Sequence, residues 1–252
     1  MTFQDHFSGH AADYAQYRPH YPAALFTWLA QQCPCRDRVW DCATGNGQAA
    51  IALTEHFHHV MATDASAAQL AQATAHSRIT YRVAPAEQSG LDSHSLDLVT
   101  VAQAVHWFQL AAFYHEAKRV LKPDGLLAIW CYGCPQMAAP ALDRQLNEYY
   151  STTLNDFWPP ERRLVEDGYA HLEFPFTEIA TPTYTMQVTW TLEALIGYLL
   201  TWSATQRFIK THGVNPLTSL AAVMAADWPS DRVVVTWPVT MRVGRSPLGR
   251  PA

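Results

Sequence analysis

Two carboxylates flank a glycine turn in the first third of the chain, within the stretch VWDCATGNGQAAIALTEHFHHVMATDAS. Asp41 precedes Gly45 by four residues, Gly47 completes the turn, and Asp64 follows Gly45 by 19 residues. Glycines let a ligand approach the backbone, and an acid about 20 residues further on binds ribose hydroxyls in nucleotide-binding folds. The spacing therefore predicts a cofactor that contains an adenosine ribose.

The charge of Asp41 favours one such cofactor over another. Gly45-x-Gly47-x-x-Ala50 also satisfies the dinucleotide fingerprint, so an NAD(P)-dependent oxidoreductase is an alternative. A dinucleotide would place a diphosphate over the turn, where Asp41 would repel it. The same carboxylate suits a cofactor that has no phosphate and carries a cationic ammonium and sulfonium. S-adenosylmethionine meets these conditions and has a ribose for Asp64.

The elements around the turn predict an α/β fold. Strand-like runs alternate with helical patterns at about 47–57, 67–77 and 109–122; the runs are RVWDCA, HVMAT, ITYRVA, LDLVTVAQ and GLLAIWC. This repetition is typical of a parallel sheet, whose ligands bind at the carboxyl edge of the strands. Further helices are expected at about 22–32, 192–202 and 216–227. The last run, RVVVTWPVTMRVG, is expected at an edge or bulge because it contains Pro238.

The composition limits the classes of binding partner that are expected. With 17 Lys and Arg against 22 Asp and Glu, the net charge is −5, so nucleic acid and membrane surfaces are not expected and the partner is a small molecule. The opening residues do not form a signal peptide, which favours the cytoplasm. The five Cys and twelve His lack metal-ligand spacing, so no metal is expected. The oligomeric state is not indicated.

These stretches resemble the class I S-adenosylmethionine-dependent methyltransferases, including their type 11 group, over about residues 3–131. VWDCATGNGQ is similar to the first motif, acid-x-Gly-x-Gly-x-Gly, with Ala43 at the first glycine position, where alanine is tolerated if its φ is negative. VMATDAS, YRVAPAEQSGLDSHSLDLVTVAQAVHWF and RVLKPDGLLAIW are similar to the motifs that follow. The resemblance implies that the cofactor-binding residues are Asp41, Ala43, Gly45, Gly47, Gln48, Asp64, Ala65, Ala86, Glu87 and Gln103.

The resemblance also implies an architecture. It is a Rossmann-like, doubly wound, mostly parallel seven-stranded sheet, with helices on both faces and a helical cap or insertion. We expect a single domain over residues 1–252. Its parts are an N-terminal lid at 1–37, a cofactor-binding core at 38–134, a helical insertion at 135–172, and distal strands and helices at 173–252 that complete the sheet and the substrate pocket.

Narrower features, YRPHYP, AQAVHWF and TWSATQR, resemble the subgroup that includes trans-aconitate methyltransferases. The known acceptors of that subgroup are small carboxylic acids, which are esterified by in-line methyl transfer with release of S-adenosylhomocysteine. The resemblance thus implies methyl transfer to a small molecule, with a carboxylate as the candidate acceptor. A non-catalytic protein that binds S-adenosylmethionine is the other alternative.

The acceptor decides which side chains would be catalytic. A carboxylate needs a cation to hold it, and Arg18 is the candidate. A protic acceptor needs a base, and His106, just past the fourth strand, is the candidate. Tyr14 is a further catalytic candidate that could close the site, together with the pocket residues Tyr21, Trp107, Phe108 and Trp202.

Each of these residues also has a structural interpretation. Asp41 could cap the Gly45 loop, and Asp64 could cap the helix that starts near Ser66. His106 could be a structural histidine, Arg18 could pair with a surface carboxylate, and the aromatic residues could serve packing alone.

Overall fold

The computed structural model describes residues 18–229 and 231–246 of the 252-residue chain. Within them, the strands are β1 Arg38–Cys42, β2 His59–Asp64, β3 Ile79–Val83, β4 Leu96–Ala102, β5 Leu121–Tyr132, β6 Gln136–Met137, β7 Thr177–Ile179, β8 Tyr184–Trp190 and β9 Val233–Arg245. The α-helices are α1 Ala23–Gln32, α2 Gln48–Leu53, α3 Ala67–Leu70, α4 Leu110–Val120, α5 Pro140–Glu148, α6 Arg162–Glu166, α7 Leu192–Leu200, α8 Ser203–His212 and α9 Leu217–Asp227. A π-helical turn, Tyr149–Thr153, follows α5, and short 3₁₀ turns lie at Val105–Trp107 and Asn155–Phe157.

The strands form one mixed sheet in the order β3-β2-β1-β4-β5-β9. The first five strands are parallel, and β9 runs antiparallel to β5. β6 pairs with β9 on the β5 side, while β7 and β8 pair with its other side, so the nine described strands occupy seven positions across the sheet. The expected Rossmann-like, mostly parallel architecture is confirmed.

Each face of the sheet carries its own apolar core, because successive strand residues point to opposite faces. Val39 of β1 packs into one core with Leu29 of α1, and Trp40 packs into the other with Phe113 of α4; all four side chains are fully buried. Burial on both faces explains the nearly continuous apolar runs of the parallel strands. The carboxyl ends of these strands share one edge, which holds the candidate site.

The last strand is interior, so of the two positions expected for Pro238 the edge is wrong, and the structure shows instead an interruption of the ladder, as at a bulge. On the β5 side, pairing stops at Tyr132 with Val239 and resumes at Gln136 with Thr236. Pro238 lies in this interval, where it has no ladder partner on that side. A proline is tolerated there because no backbone donor is needed from it.

Four helices differ from the predicted pattern. α2 ends at Leu53 and α3 at Leu70, well before the expected ends at 57 and 77. α8 was not expected, and the helix expected at 192–202 ends two residues early to make room for it. No helix in the described part of the chain is long and apolar enough to cross a membrane.

Candidate functional site

The glycine turn between β1 and α2 has three left-handed residues. φ is +59° at Gly45 and +86° at Gly47, as glycine permits. A Cβ on Gly47 would lie 2.5 Å from the Tyr81 hydroxyl, so this position also requires glycine for space. Ala43 has a φ of +54°. Alanine was expected to be tolerated at this position if its φ were negative, and that condition is not met. The loop therefore holds a strained alanine where glycine would be relaxed.

Asp41 is the penultimate residue of β1, beneath this loop, and is 1% exposed. Its carboxylate accepts hydrogen bonds from the hydroxyls of Thr44 (2.5 Å) and Thr100 (2.8 Å). Burial raises the pKa of Asp41 to about 6, and the charge of Asp64 also raises it, against the hydrogen bonds from the two threonines. Asp41 thus braces the loop, as its structural interpretation anticipated, and it also places a negative charge under the loop at neutral pH.

Asp64 ends β2 and holds the loop from the other side. Its two carboxylate oxygens accept from the backbone N–H groups of Gly45 and Ser66, each at 2.8 Å. Ser66, rather than Asp64, caps α3, because its hydroxyl accepts from the backbone of Gln69. A carboxylate at the end of the second strand is the group that binds ribose hydroxyls in nucleotide-binding folds.

The remaining cofactor candidates lie along the same edge. Gln48 donates from Nε2 to the carbonyl of Pro19 (3.1 Å), which ties the N-terminal segment to the start of α2. Glu87 accepts from the backbone of Gln109 at 2.8 Å. Ala65 is half-buried beside Asp64, and Ala86 is buried in the second core.

Gln103, just after β4, provides a test of whether a cofactor fits here. Its φ is +56°, and its Nε2 donates to the carbonyl of Tyr132 at 2.9 Å. Its Oε1 is buried and accepts no hydrogen bond from the described residues. A buried amide oxygen without a donor is costly, and an ammonium group would satisfy it. The acid beneath the loop and this orphaned acceptor together suit a cationic amino acid arm.

A cleft with a cavity volume of about 60 Å³ opens where the loops after β4 and β5 meet the insertion and the helices α7 and α8. We call it the β4–β5 cleft. Its lining residues are Arg18, Gln103, His106, Trp107, Tyr132, Gly133, Trp158, Pro159, Arg162, Tyr198, Trp202 and Ser203. The lining therefore contains two arginines, several aromatic side chains and no carboxylate among the described residues.

His106 lies in the 3₁₀ turn that follows β4. Its Nδ1 is 2.8 Å from the hydroxyl of the fully buried Tyr169. Burial and, to a smaller extent, the positive charge of Arg162 together lower the pKa of His106 to about 3. The imidazole is therefore neutral at physiological pH and is a weak proton acceptor.

The two arginines are held by aromatic side chains. Arg18 donates from Nη1 to the Tyr132 hydroxyl at 3.0 Å, and its guanidinium lies 5.2 Å from the centre of the Tyr198 ring. Arg162 donates from Nε to the Tyr150 hydroxyl at 2.7 Å. Contacts of this kind fix a guanidinium without neutralising it.

The other candidates are divided between the cleft and the core. Trp107 and Trp202 line the cleft. Phe108 packs on Phe113 with ring centres 4.9 Å apart, and Tyr21 packs edge-on against Trp130 at 5.5 Å; neither lines the cleft. Tyr14 lies outside the described residues.

Sequence reasoning missed seven lining residues of the cleft: Tyr132, Gly133, Trp158, Pro159, Arg162, Tyr198 and Ser203. Trp158 and Arg162 come from the segment FWPPERR, which stood out as an insertion but not as part of a site. The signal that could have found them is an aromatic–proline–arginine cluster in a chain with few charges.

One group of metal-type side chains lies at the opposite, amino-terminal edge of the sheet: Cys35, Asp37 and Asp97. The Lys122 ammonium is 2.7 Å from Asp97 and 3.5 Å from Asp37. Asp97 also accepts the backbone N–H groups of Asp37 and Arg38. These contacts give the group a structural role in fixing the start of β1.

Comparison with known proteins identifies the family. A sequence profile described as a methyltransferase domain matches residues 40–129. A Dictyostelium discoideum protein classed by name as a methyltransferase is 33% identical over 247 residues, which cover 95% of this chain and 94% of that protein. A Saccharomyces cerevisiae protein named as an S-adenosylmethionine-dependent methyltransferase is 29% identical over 149 residues, 56% of this chain and 50% of that protein.

A solved structure from Anaeromyxobacter dehalogenans, classed as a type II methyltransferase, superimposes with a TM-score of 0.85 at 41% identity and covers 92% of this chain and 99% of that one. These relations decide against the NAD(P)-dependent oxidoreductase. The chain belongs to the class I S-adenosylmethionine-dependent methyltransferases, it is an enzyme, and S-adenosylmethionine is its cofactor.

Proposed function

We propose that this methyltransferase esterifies a small-molecule carboxylate, as the resemblance to the trans-aconitate subgroup implied. The lining of the β4–β5 cleft carries the proposal, because it combines Arg18 and Arg162 with aromatic walls and no carboxylate among the described residues. Such a lining attracts an anion and repels a cationic amine.

The bound cofactor supplies an electrophilic methyl group, which an acceptor oxygen takes as the carbon–sulfur bond breaks and S-adenosylhomocysteine is released. The residues of the chain hold the two reactants in line and exclude water. Asp64 holds the ribose, and Asp41 with Gln103 holds the amino acid arm. A carboxylate is already ionised, so the reaction releases no proton that the protein must accept.

The lowered pKa of His106 agrees with a carboxylate acceptor, which needs no base. Its pKa of about 3 makes it a poor base, so we assign it hydrogen bonding in the cleft rather than proton abstraction. Transfer to an alcohol or phenol through His106 as general base is the second candidate, since the side chain does line the cleft. That mechanism would give a rate that falls as the imidazole is protonated.

We treat the chain as one domain. β7, β8 and β9 join the sheet that carries the cofactor strands, and Tyr198 and Trp202 of the distal segment line the cleft. The five cysteines are all free thiols, which agrees with the cytoplasm. The net charge of −5 agrees with a small-molecule partner rather than a nucleic acid.

The test is a screen for methyl transfer from labelled S-adenosylmethionine to pairs of small molecules. Each pair contains a carboxylic acid and its amide, so that shape is held constant while charge is removed. We expect label in the acid and none in the amide, with one S-adenosylhomocysteine formed for each methyl group transferred. Transfer to amides, alcohols or amines in preference to acids would overturn the proposal.

A further inference from the structure

Arg162 is held in a built slot within the insertion. Its guanidinium lies 4.9 Å from the Trp158 ring centre and 5.4 Å from that of Tyr150, whose hydroxyl accepts from Nε. The Tyr150 hydroxyl also donates to Glu166, one turn further along α6. Nε is thus satisfied, and the rings restrict the plane of the guanidinium.

Further contacts hold the slot together. Trp158 donates from its indole nitrogen to the Tyr150 carbonyl at 3.0 Å, and its ring packs on Tyr150 at 4.7 Å and on Trp202 at 5.5 Å. A side chain that is fixed before binding loses little entropy when a ligand arrives. The slot therefore lowers the conformational entropy that the Arg162 side chain loses when a ligand binds.

The positive charge of Arg162 is not neutralised by a carboxylate within the described part of the protein. No described carboxylate forms an ion pair with it, and its hydrogen bond to Tyr150 uses Nε alone. The residue lines the β4–β5 cleft and lowers the pKa of His106, so its positive charge acts on the cleft. The two terminal nitrogens form the fork that binds a carboxylate through parallel hydrogen bonds.

Arg18 is placed differently. The neighbouring Pro19 is tied to Gln48 of the cofactor turn, and Arg18 itself donates to Tyr132 at the end of β5. Arg18 therefore belongs to the side of the cleft next to the cofactor, whereas Arg162 belongs to the insertion.

We propose that Arg162 binds the anionic group of the methyl acceptor through its terminal nitrogens, and that Tyr150 and Trp158 are positioning residues that hold the guanidinium for this contact. The inference rests on the proposed function and deepens it, since it moves the acceptor clamp from Arg18 to the insertion. The acceptor is then an anion that can pack beside aromatic rings.

Binding is measured without turnover, on the full chain saturated with S-adenosylhomocysteine. Benzoate and benzamide are titrated as an isosteric charged and neutral pair, and tryptophan fluorescence is followed because Trp158 stacks on Arg162. We expect benzoate to bind and benzamide not to bind. Arg162→Gln should weaken benzoate binding about ten- to a hundredfold, as expected for loss of a charge-assisted pair of hydrogen bonds.

Three variants separate positioning from folding. Arg163→Gln, at the exposed next position of α6, is the matched control and should bind benzoate as the wild type does. Arg162→Lys keeps the charge without the fork and should recover part of the affinity. Tyr150→Phe keeps the ring but frees Nε, so it should raise KM for the acceptor more than it lowers kcat.

Equal binding of benzoate and benzamide by the wild type, or equal benzoate binding by the wild type and Arg162→Gln, would overturn the inference. So would a loss of S-adenosylhomocysteine affinity in Arg162→Gln with unchanged benzoate binding, since Arg162 would then serve the cofactor. If benzoate binding depends on Arg162 but no acid in the screen is methylated, the proposed esterification fails while the anion site stands.

Discussion

Lowering the pH through 6 should weaken S-adenosylmethionine binding, because Asp41 loses its charge in this range. The pKa of Asp41 is raised to about 6 by burial, so the native carboxyl becomes neutral as the pH falls through that value. The cationic arm of the cofactor is attracted only by the ionised form. Affinity should therefore be full above about pH 7 and decline below 6.

The magnitude follows from the titration of a single group. At pH 5, about one tenth of Asp41 is ionised, so Kd should rise about tenfold, or about 1.4 kcal/mol. Asp41→Asn imitates the neutral state at every pH, so at pH 7.5 it should bind at least as weakly as the wild type does at pH 5, with no further dependence on pH. The asparagine has one oxygen for the hydroxyls of Thr44 and Thr100, so the variant should also lose about 1–2 kcal/mol of stability.

The assay is titration calorimetry with S-adenosylmethionine from pH 5 to 7.5, on wild type and Asp41→Asn. A melting curve at each pH separates loss of fold from loss of affinity. A wild-type Kd that stays constant within about twofold across this range would refute the electrostatic role of Asp41. So would an equal pH dependence in the variant.

Three further results are expected. Ala43→Gly should raise the melting temperature, because glycine relieves the strain at φ of +54°. The greater freedom of glycine in the unfolded chain offsets part of this effect, so we expect a net gain in stability of about 1 kcal/mol or less. A lower melting temperature would contradict this prediction. Asp64→Ala should weaken cofactor binding by roughly 1.5–3 kcal/mol in calorimetry through lost hydrogen bonds to the ribose, and unchanged affinity would remove Asp64 from the site. His106 has a native pKa lowered from 6.5 to about 3, so the unfolded chain binds a proton that the native state excludes, and stability is lost as the pH falls from 6.5. His106→Gln should remove this acid sensitivity, which amounts to at most about 1.4 kcal/mol of unfolding free energy per pH unit. The unfolding free energies of wild type and variant are compared at each pH, because the opposite contribution of Asp41 cancels in their difference. An identical pH dependence of the two proteins would show that burial does not lower the pKa of His106.

The cofactor half of the fold was predictable because its signals are local. The runs that became β1, β2, β4 and β5 are apolar on both faces, and a parallel sheet is the arrangement that buries such strands. The turn at Gly45 and Gly47 was predictable because glycine adopts a positive φ more readily than other residues, and both glycines do so.

Errors arose where local preference competes with context. The Ala-rich stretch after Ala67 favours a helix, but α3 ends at Leu70, and the weaker helix formers Thr74, His76 and Ser77 lie only further along. α8 could have been predicted from its end, where Lys210 and His212 precede Gly213 in a left-handed C-cap. The interior position of β9 depends on a gap in its partner strand, and no local pattern encodes that.

The acceptor side of the site could be predicted only in part. Trp107 and Trp202 were predicted for the pocket and line the cleft, but Phe108 was predicted with them and packs in the core. Arg162 reaches the cleft because the insertion folds back over the ends of β4 and β5. Such contacts join residues distant in sequence, and their spacing carries no periodic signal.

The most direct test of the account is the chemical stability of the bond that the enzyme forms. A product isolated from labelled S-adenosylmethionine and the preferred acceptor is treated with mild alkali, and the label is followed. Esterification of a carboxylate predicts release of the label as methanol and recovery of the original acid. A label that stays on the product through this treatment would place the methyl group on nitrogen, carbon or an ether oxygen, and would contradict a carboxylate acceptor.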